Sequence, residues 1–207
     1  MKSPPESQIN SLAALRALYA APMGRAVQKQ LSALDSHCRS FIALSPFLVL
    51  STSNAAHQLD ASPRGGAPGF VKVDGQGDLL IPDAPGNNRL DSLENIIATG
   101  QAGLLFLIPG IDETLRVNGR ASLSLADADL QACADARRAP KLVIRLAVDA
   151  AYLHCAKALM RSRLWQADVQ LPRASLPTMG QMIADQTGMA GPHETDEAMR
   201  KRYAPDL

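Results

Sequence analysis

Asn88, Arg89 and Ser92, in the stretch IPDAPGNNRLDSLENI at 81–96, are the side chains whose types and spacing could do chemistry. An apolar run from Leu79 to Ile81 ends at Pro82. Asp83, Ala84, Pro85 and Gly86 then have turn composition, Pro presetting φ and Gly supplying permissive backbone. An Asn just ahead of a periodic apolar run predicts a helix N-cap at Asn88, and Asp91, three residues on, takes the capping-box position. Leu90, Leu93 and Ile97 recur at helical spacing, so a helix is expected over about 89–98, closed near Gly100. The first turn of such a helix presents free N–H groups and the positive end of the macrodipole, which favour an anion. Arg89 is out of place there unless something negative neutralises it, and Asn88 and Ser92 add donors. Together they could bind a phosphate. The same spacing also describes an ordinary capped helix with a solvent-facing arginine.

A second basic group lies later. Lys157 and Arg161 are one helical turn apart and share a face, with Arg163 two residues beyond; they could meet an anionic substrate or a phosphate from a second subunit, or form a solvated face. His154 could donate a proton near neutral pH, or simply end a strand. The His37-Cys38 and His154-Cys155 pairs lack the spacing of a zinc site, and no metal is expected. Asp83 with Asp91, and Asp127 with Asp129, are better explained by turn and cap duties. Ser51, Ser53 and His57 form no nucleophile elbow, and neither a P-loop nor a G-x-G-x-x-G run occurs.

These groups need a scaffold, and the bulk properties bound it. The chain has 207 residues, 46% hydrophobic and 20% charged, with net charge +1: enough for one sizeable core, with no general attraction for nucleic acid or membrane. Aromatic platforms for stacking bases are scarce, at four Phe, three Tyr and one Trp. No run of about 18 apolar residues occurs, MKSPPESQIN lacks the apolar core of a signal peptide, and three unpaired cysteines fit a reducing compartment. A cytoplasmic location is expected.

In chain order, residues 6–20 carry Ile9, Leu12, Leu15, Leu18 and Tyr19 at helical intervals after Pro4-Pro5. Pro22 opens a second helix with Val27, Leu31 and Leu34 as its stripe. The segment 37–44 extends that helix or forms a third, and Pro46 ends the preface. FLVLSTS at 47–53 then reads as a strand buried on both faces, and AAHQLDAS as its hairpin partner. RGGAPG reads as a loop and GFVKV as a strand, turned by DGQG into DLLIP. After the central helix come AGLLFLI and ETLRVNGRASLSL, joined by PGID, with a bulge or bend at Gly119. A short helix from Ala126 or Asp127 spans DADLQACADARR, and KLVIRLAVDAAYLHC is a further long strand. Short helices follow near 178–187 and 194–202. Several antiparallel strands with one helix after the fourth point to a small β-barrel of α+β, mainly β, class.

The segments SPRG at 62–65, PGFVKV at 68–73, IPDAPGNNRLDSLENI at 81–96, LLFLIPGIDETLRVNGRA at 104–121 and HCAKALMRSRLW at 154–165, in that order, resemble the pyridoxamine 5′-phosphate oxidase-like flavoproteins, in the branch marked by PGNNRLDSL and LFLIPG. The resemblance implies an FMN-binding split β-barrel at 46–165, a helical N-terminal extension at 1–45 and a tail with short helices at 166–207. It further implies a homodimer with FMN at the subunit interface, and oxidoreduction of a small, anionic substrate. It assigns the FMN phosphate to Asn88 and Arg89 with Ser92 nearby, and the strand-pair arginine motif to Ser62 and Arg64. Phe70, Val71 and Lys72 would run beside the ring, Pro82 and Asp83 would line the cofactor, and Thr114 or Arg116 could reach it. Lys157 and Arg161 would join the site, and His154 and Arg161 are the catalytic candidates. RGGAPGFVK interrupts the oxidases' Arg-x-Val-Leu-Leu-Lys signature, and His154-Cys155 stands where they carry Trp; both argue against pyridoxamine phosphate oxidation itself. A flavin- or haem-binding sensor using the same groove, and a barrel without cofactor, are the alternatives.

Overall fold

The computed structural model describes residues 8–84, 86–135, 139–189 and 191–206; the expected roles of Pro4-Pro5, of Pro85 and of the end of the DADLQACADARR helix lie outside them. The strands are β1 (Phe47–Ser53), β2 (Leu59–Gly65), β3 (Lys72–Val73), β4 (Leu79–Pro82), β5 (Gln101–Leu107), β6 (Thr114–Ser124) and β7 (Val143–His154). All neighbours are antiparallel, in the order β2-β1-β5-β6-β7-β4-β3. This is the split-barrel sheet that the sequence led us to expect. Its curl depends on a bulge in β6 at Asn118/Gly119, where a Cβ on Gly119 would collide with the Ala147 carbonyl.

Inside the curl, Leu48, Leu50, Phe106, Leu115, Ile144 and Leu146 are fully buried, each contributing roughly 1.5–3 kcal/mol of burial. β1 was expected to be buried on both faces, but it alternates. Leu48, Leu50 and Thr52 point inward, while Phe47 and Ser51 are exposed and Val49 and Ser53 half-buried. A hydrophobic run shows that a strand is central, not that both of its sides are covered.

The preface differs from its sequence reading. The first helix, α1 (Leu12–Ala17), is capped by Ser11 and exposed throughout. The second, α2 (Gly24–Gln28), stops before Leu31, which pairs with Ala151 of β7 through two backbone bonds of 2.9 and 2.8 Å. Val27 is exposed and Leu34 enters the barrel core, so the three residues are not one stripe. The free outer edge of β7 competes for Leu31 with the helix, and a two-bond pairing wins. A separate α3 (Ser36–Leu44) follows. Its N-cap Asp35 accepts from the Cys38 N–H at 2.7 Å, which holds that carboxyl below its usual range. Cys38, Phe41 and Ile42 carry α3 into the core.

The helix after β4 is α4 (Asp91–Thr99), closed by Gly100 at φ +66° as expected. Its inner face is Leu93 and Ile96; Ile97 is exposed and Leu90 half-exposed, so the stripe sits one residue away from the 90/93/97 reading. Two polar bonds fix it to the sheet: the Ser92 hydroxyl donates to Asp60 (2.6 Å) and the Asn95 amide to Thr52 (3.0 Å). After β6, α5 (Asp127–Ala132) leads towards β7. Beyond β7 come α6 (Lys157–Ser162), α7 (Met179–Thr187) and α8 (Asp196–Tyr203), close to the expected positions. No helix among the described residues is long and apolar enough to cross a membrane.

Candidate functional site

The end of β2, the end of β4, the start of α4 and the segment before β7 enclose a cavity of about 470 Å³. Each wall has a local cause. β2 alternates, so Asp60, Ser62 and Arg64 share its half-buried side; Ser62 and Arg64 reach the cavity, while Asp60 holds Ser92. The loop after β2 then brings in Phe70. Gly66 lies so close beneath that ring that a Cβ there would come within 2.8 Å of the Phe70 Cβ, and Gly69, at φ +76°, passes against the Ala43 carbonyl. β4 ends in Pro82 and Asp83, and the ladder to β7 continues one step past Pro82↔Val143 through the Asp83 N–H, which donates to the Leu142 carbonyl at 3.0 Å. That step places Pro140 and Lys141 on the opposite wall.

The turn into α4 is not built as expected. Asn88 is not the N-cap: it is left-handed, φ +59°, a conformation Asn tolerates. Leu90 holds the cap position and no side chain caps the helix. Asn87 turns the chain earlier, its side-chain oxygen accepting from the Arg89 N–H at 3.0 Å. Asp91, the expected capping-box partner, is the first helical residue and instead pairs with Arg89 Nε at 2.7 Å, raising that guanidinium's pKa further. The neutralising charge that Arg89 required is therefore supplied from within the chain, and Arg89 stands 77% exposed at the rim.

Arg64 is different. Its Nη1 reaches Asp83 at 3.3 Å, both side chains being 18% exposed, and its buried Nε has no hydrogen-bond partner. A charge-assisted N–H···O bond normally closes to about 2.7–2.9 Å. The guanidinium fork thus meets one carboxylate oxygen at long range and leaves a desolvated donor unmade, which costs about 1–3 kcal/mol unless an acceptor arrives. An oxyanion in the cavity is such an acceptor, and Phe70, Leu90 and Leu93 supply apolar wall beside it.

Of the residues singled out in the sequence, the fold brings Ser62, Arg64, Phe70, Pro82, Asp83, Asn88 and Arg89 to this cavity. Ser92 is buried beneath it with its hydroxyl committed to Asp60. The Val71 side chain lies in the core, and Lys72 donates to the Gly69 carbonyl at 2.8 Å. Thr114 is buried opposite His154 where β6 meets β7, and Arg116 stacks on Tyr152 at 5.2 Å. His154 ends β7; Lys157 and Arg161 lie on exposed α6, and none of the three lines the cavity. Arg163 ends α6 at φ +54° and pairs with Asp168. Missed from sequence were Asn87, Leu90, Leu93, Pro140 and Lys141. Asn87, Leu90 and Leu93 lie inside the PGNNRLDSL motif, which was their signal, although Leu90 and Leu93 were read only as the apolar stripe of the helix; Pro140 and Lys141 arrive through strand pairing alone. Among the described residues no group of three or more His, Cys, Asp or Glu is placed to hold a metal ion.

A family model described as pyridoxamine 5′-phosphate oxidase matches residues 34–155. No curated protein matches the chain. Among solved structures, HupZ of Group A Streptococcus is 16% identical, covering 58% of this chain and 93% of that one at a TM-score of 0.48. The FAD binding protein of Mycobacterium smegmatis is 13% identical, covering 59% and 98% at 0.40. HutZ, the heme storage protein of Vibrio cholerae, is 12% identical, covering 55% and 89% at 0.39.

Proposed function

This chain belongs to the pyridoxamine 5′-phosphate oxidase family, and on that premise we propose that it is a flavoprotein that holds FMN in the cavity under α4. It acts in this reading as an oxidoreductase on a small, anionic substrate. The observation that carries the reading is Arg64: a guanidinium with a buried, unpartnered Nε on the wall of a cavity about 470 Å³ in volume, within the range of small-molecule sites. Arg64 and Arg89 would hold the phosphate, with the uncapped start of α4 behind them. Ser62, Phe70, the main chain of Val71 and Lys72, and Pro82 and Asp83 would line the rest. When bound, the flavin supplies two-electron hydride chemistry; the protein binds, orients and excludes water.

The reading includes a homodimer. Supporting it, the side of the sheet away from the core presents Phe47, exposed, and Val49, Leu105 and Leu107, half-exposed, as a continuous apolar surface across β1 and β5. A second copy covering that side would let His154, Lys157 and Arg161, which a single chain keeps away from the cavity, act on the partner's substrate.

An absorption spectrum of purified protein, taken after adding FMN and desalting, tests the reading. Retained bands near about 375 and 450 nm are expected. A Soret band would replace the flavin with haem, and no retained chromophore would overturn cofactor binding altogether. Bleaching of the flavin by a nicotinamide donor separates an oxidoreductase from a sensor.

A further inference from the structure

Residues 8–30 and the outer face of the sheet are each left uncovered, and they meet at one place. Every residue from Gln8 to Gln30 is exposed, Leu12, Leu15, Leu18, Tyr19, Met23 and Val27 among them. α1 has six residues and none buried, and a helix that short is marginal in water without a surface to pack on. The chain exposes 14507 Å², whereas a compact monomer of its 22.0 kDa presents about 9300 Å². The excess, roughly 5000 Å², is more than the ~1000–2500 Å² that each chain buries in an obligate dimer.

This arm is rooted at the edge of the uncovered face. Leu31 is bonded to Ala151, and the Lys29 ammonium donates to the Leu153 carbonyl at 2.7 Å and lies 5.7 Å from the Tyr152 ring. Tyr152 is opposite Arg116, Arg116 opposite Leu105 and Leu105 opposite Val49. One cross-strand row therefore runs from the root of the arm to the apolar surface of β1 and β5. Ser51, Gly103, Asn118 and Ala150 form a lower row beside it, and a Cβ on Gly103 would come within 2.9 Å of the Asn118 side-chain oxygen. Charge agrees with the shape. Up to Leu34 the chain has four basic residues and one acid, and residues 35–155 have ten and thirteen, net +3 against −3. Asp112 and Glu113, in the turn at the Leu107 end of the face, make no ion pair among the described residues.

We propose that the arm is exchanged: α1 of one copy lies on the outer sheet face of a second copy, which returns the contact. The inference rests on the homodimer reading and adds what covers the face. A single chain owns both surfaces and leaves both bare, while reciprocal exchange covers them in a closed pair. The arm lies outside residues 34–155, the part matched by the family. A membrane fits less well, because α1 and α2 carry one arginine each, Arg16 and Arg25, and not the strongly charged face of an interfacial helix.

The test is sedimentation equilibrium of the full chain as wild type and as Leu12→Glu/Leu15→Glu, with melting temperature followed beside it. Both leucines are exposed in the single chain, so the substitutions leave its fold intact. Wild type should be a dimer, and the double substitution should raise its dissociation constant at least about a hundredfold. Val49→Glu, on the receiving face, should act in the same direction, and Arg16→Glu should weaken the dimer by a smaller factor that high salt narrows. A wild-type dimer untouched by Leu12→Glu/Leu15→Glu overturns the arm's role and leaves the homodimer standing; a monomeric wild type overturns both. Exchange itself is read by coexpressing Leu15→Cys and Val49→Cys chains, each also Cys155→Ser, and adding a bifunctional maleimide. Crosslinks between the two kinds of chain support it. A chain with both substitutions that crosslinks only to itself puts the arm on its own barrel and overturns it. Sedimentation with phosphatidylglycerol vesicles that the arm substitutions abolish, with the dimer unchanged, gives the arm to a membrane and overturns it as well.

Discussion

Arg64 and Arg145 are both partly buried arginines of the same barrel, and their surroundings are opposite. Arg145, on β7, meets three carboxylates: Asp129 at 2.7 Å, Asp74 at 2.5 Å and Asp78 at 3.2 Å. The hydrogen bond it donates to Asp129 leads a set of contacts that raises its pKa above the ordinary arginine value. Each partner is held in turn. Ser124 donates to Asp129 at 2.6 Å, and Asp74 closes the β3–β4 turn by accepting the N–H groups of Gln76 and Asp78. Arg64 has one carboxylate at long range and a donor left over. A saturated arginine clamps structure, here the β3–β4 hairpin and α5 onto β7. An unsaturated one, on a cavity, leaves a buried donor without an acceptor, and the proposed function assigns that donor to a bound phosphate.

The comparison can be broken by substitution. Arg145→Met should cost the most, about 3 kcal/mol of stability in urea denaturation, because three carboxylates lose their shared cation while remaining close together. Arg64→Ala should behave in the reverse sense. It should loosen FMN by about a hundredfold yet change the unfolding free energy in urea by no more than about 1 kcal/mol, since Asp83 faces an open cavity and the unmade Nε disappears. Equal destabilisation by the two substitutions would show that Arg64 is a clamp as well.

Acid sharpens the contrast with a smaller effect. The Ser124 hydroxyl and Arg145 hold Asp129 below the usual carboxylate range. Burial pushes Asp74 up, but the Asp78 and Gln76 N–H groups and Arg145 outweigh it and leave it lowered too. For groups with a depressed folded-state pKa the stabilisation is present above the unfolded value, about 3.9, and is lost as pH falls through the folded one. Wild-type stability should therefore hold from neutral pH down to about pH 4 and then drop. In Arg145→Met the carboxylates repel when ionised, so the gap to wild type should narrow on acidification. A gap that stays constant from neutral pH down to about pH 3 would remove Arg145 from the account.

Local pattern made much of the molecule legible. The strands at 47–53, 79–82, 101–107, 114–124 and 143–154 follow from runs of β-branched and aliphatic residues between turn signals. The left-handed Gly100 and the bulge at Gly119 were visible because glycine relieves local steric conflict. The family motifs also marked seven side chains that the fold does bring to one cavity.

Tertiary structure decided the rest, because the deciding forces act between residues distant in sequence. Leu31 left its helix for an edge of β7 that lies 120 residues away along the chain. Ser92 looked like a donor for the site, but a buried hydroxyl must be paired, and Asp60 on β2 was the acceptor at hand. Whether Arg89 needed an outside anion depended on the Asp91 rotamer, and whether Arg64 did depended on how far Asp83, on another strand, could reach. Lys141 has no motif around it; it comes to the cavity with the segment that leads into β7. Most of the strands, and which residues carry charge, could be read locally, since both are local properties. Which charges are spent inside the protein and which are left for a ligand is a question of distance across the fold, answered only when the sheet closes.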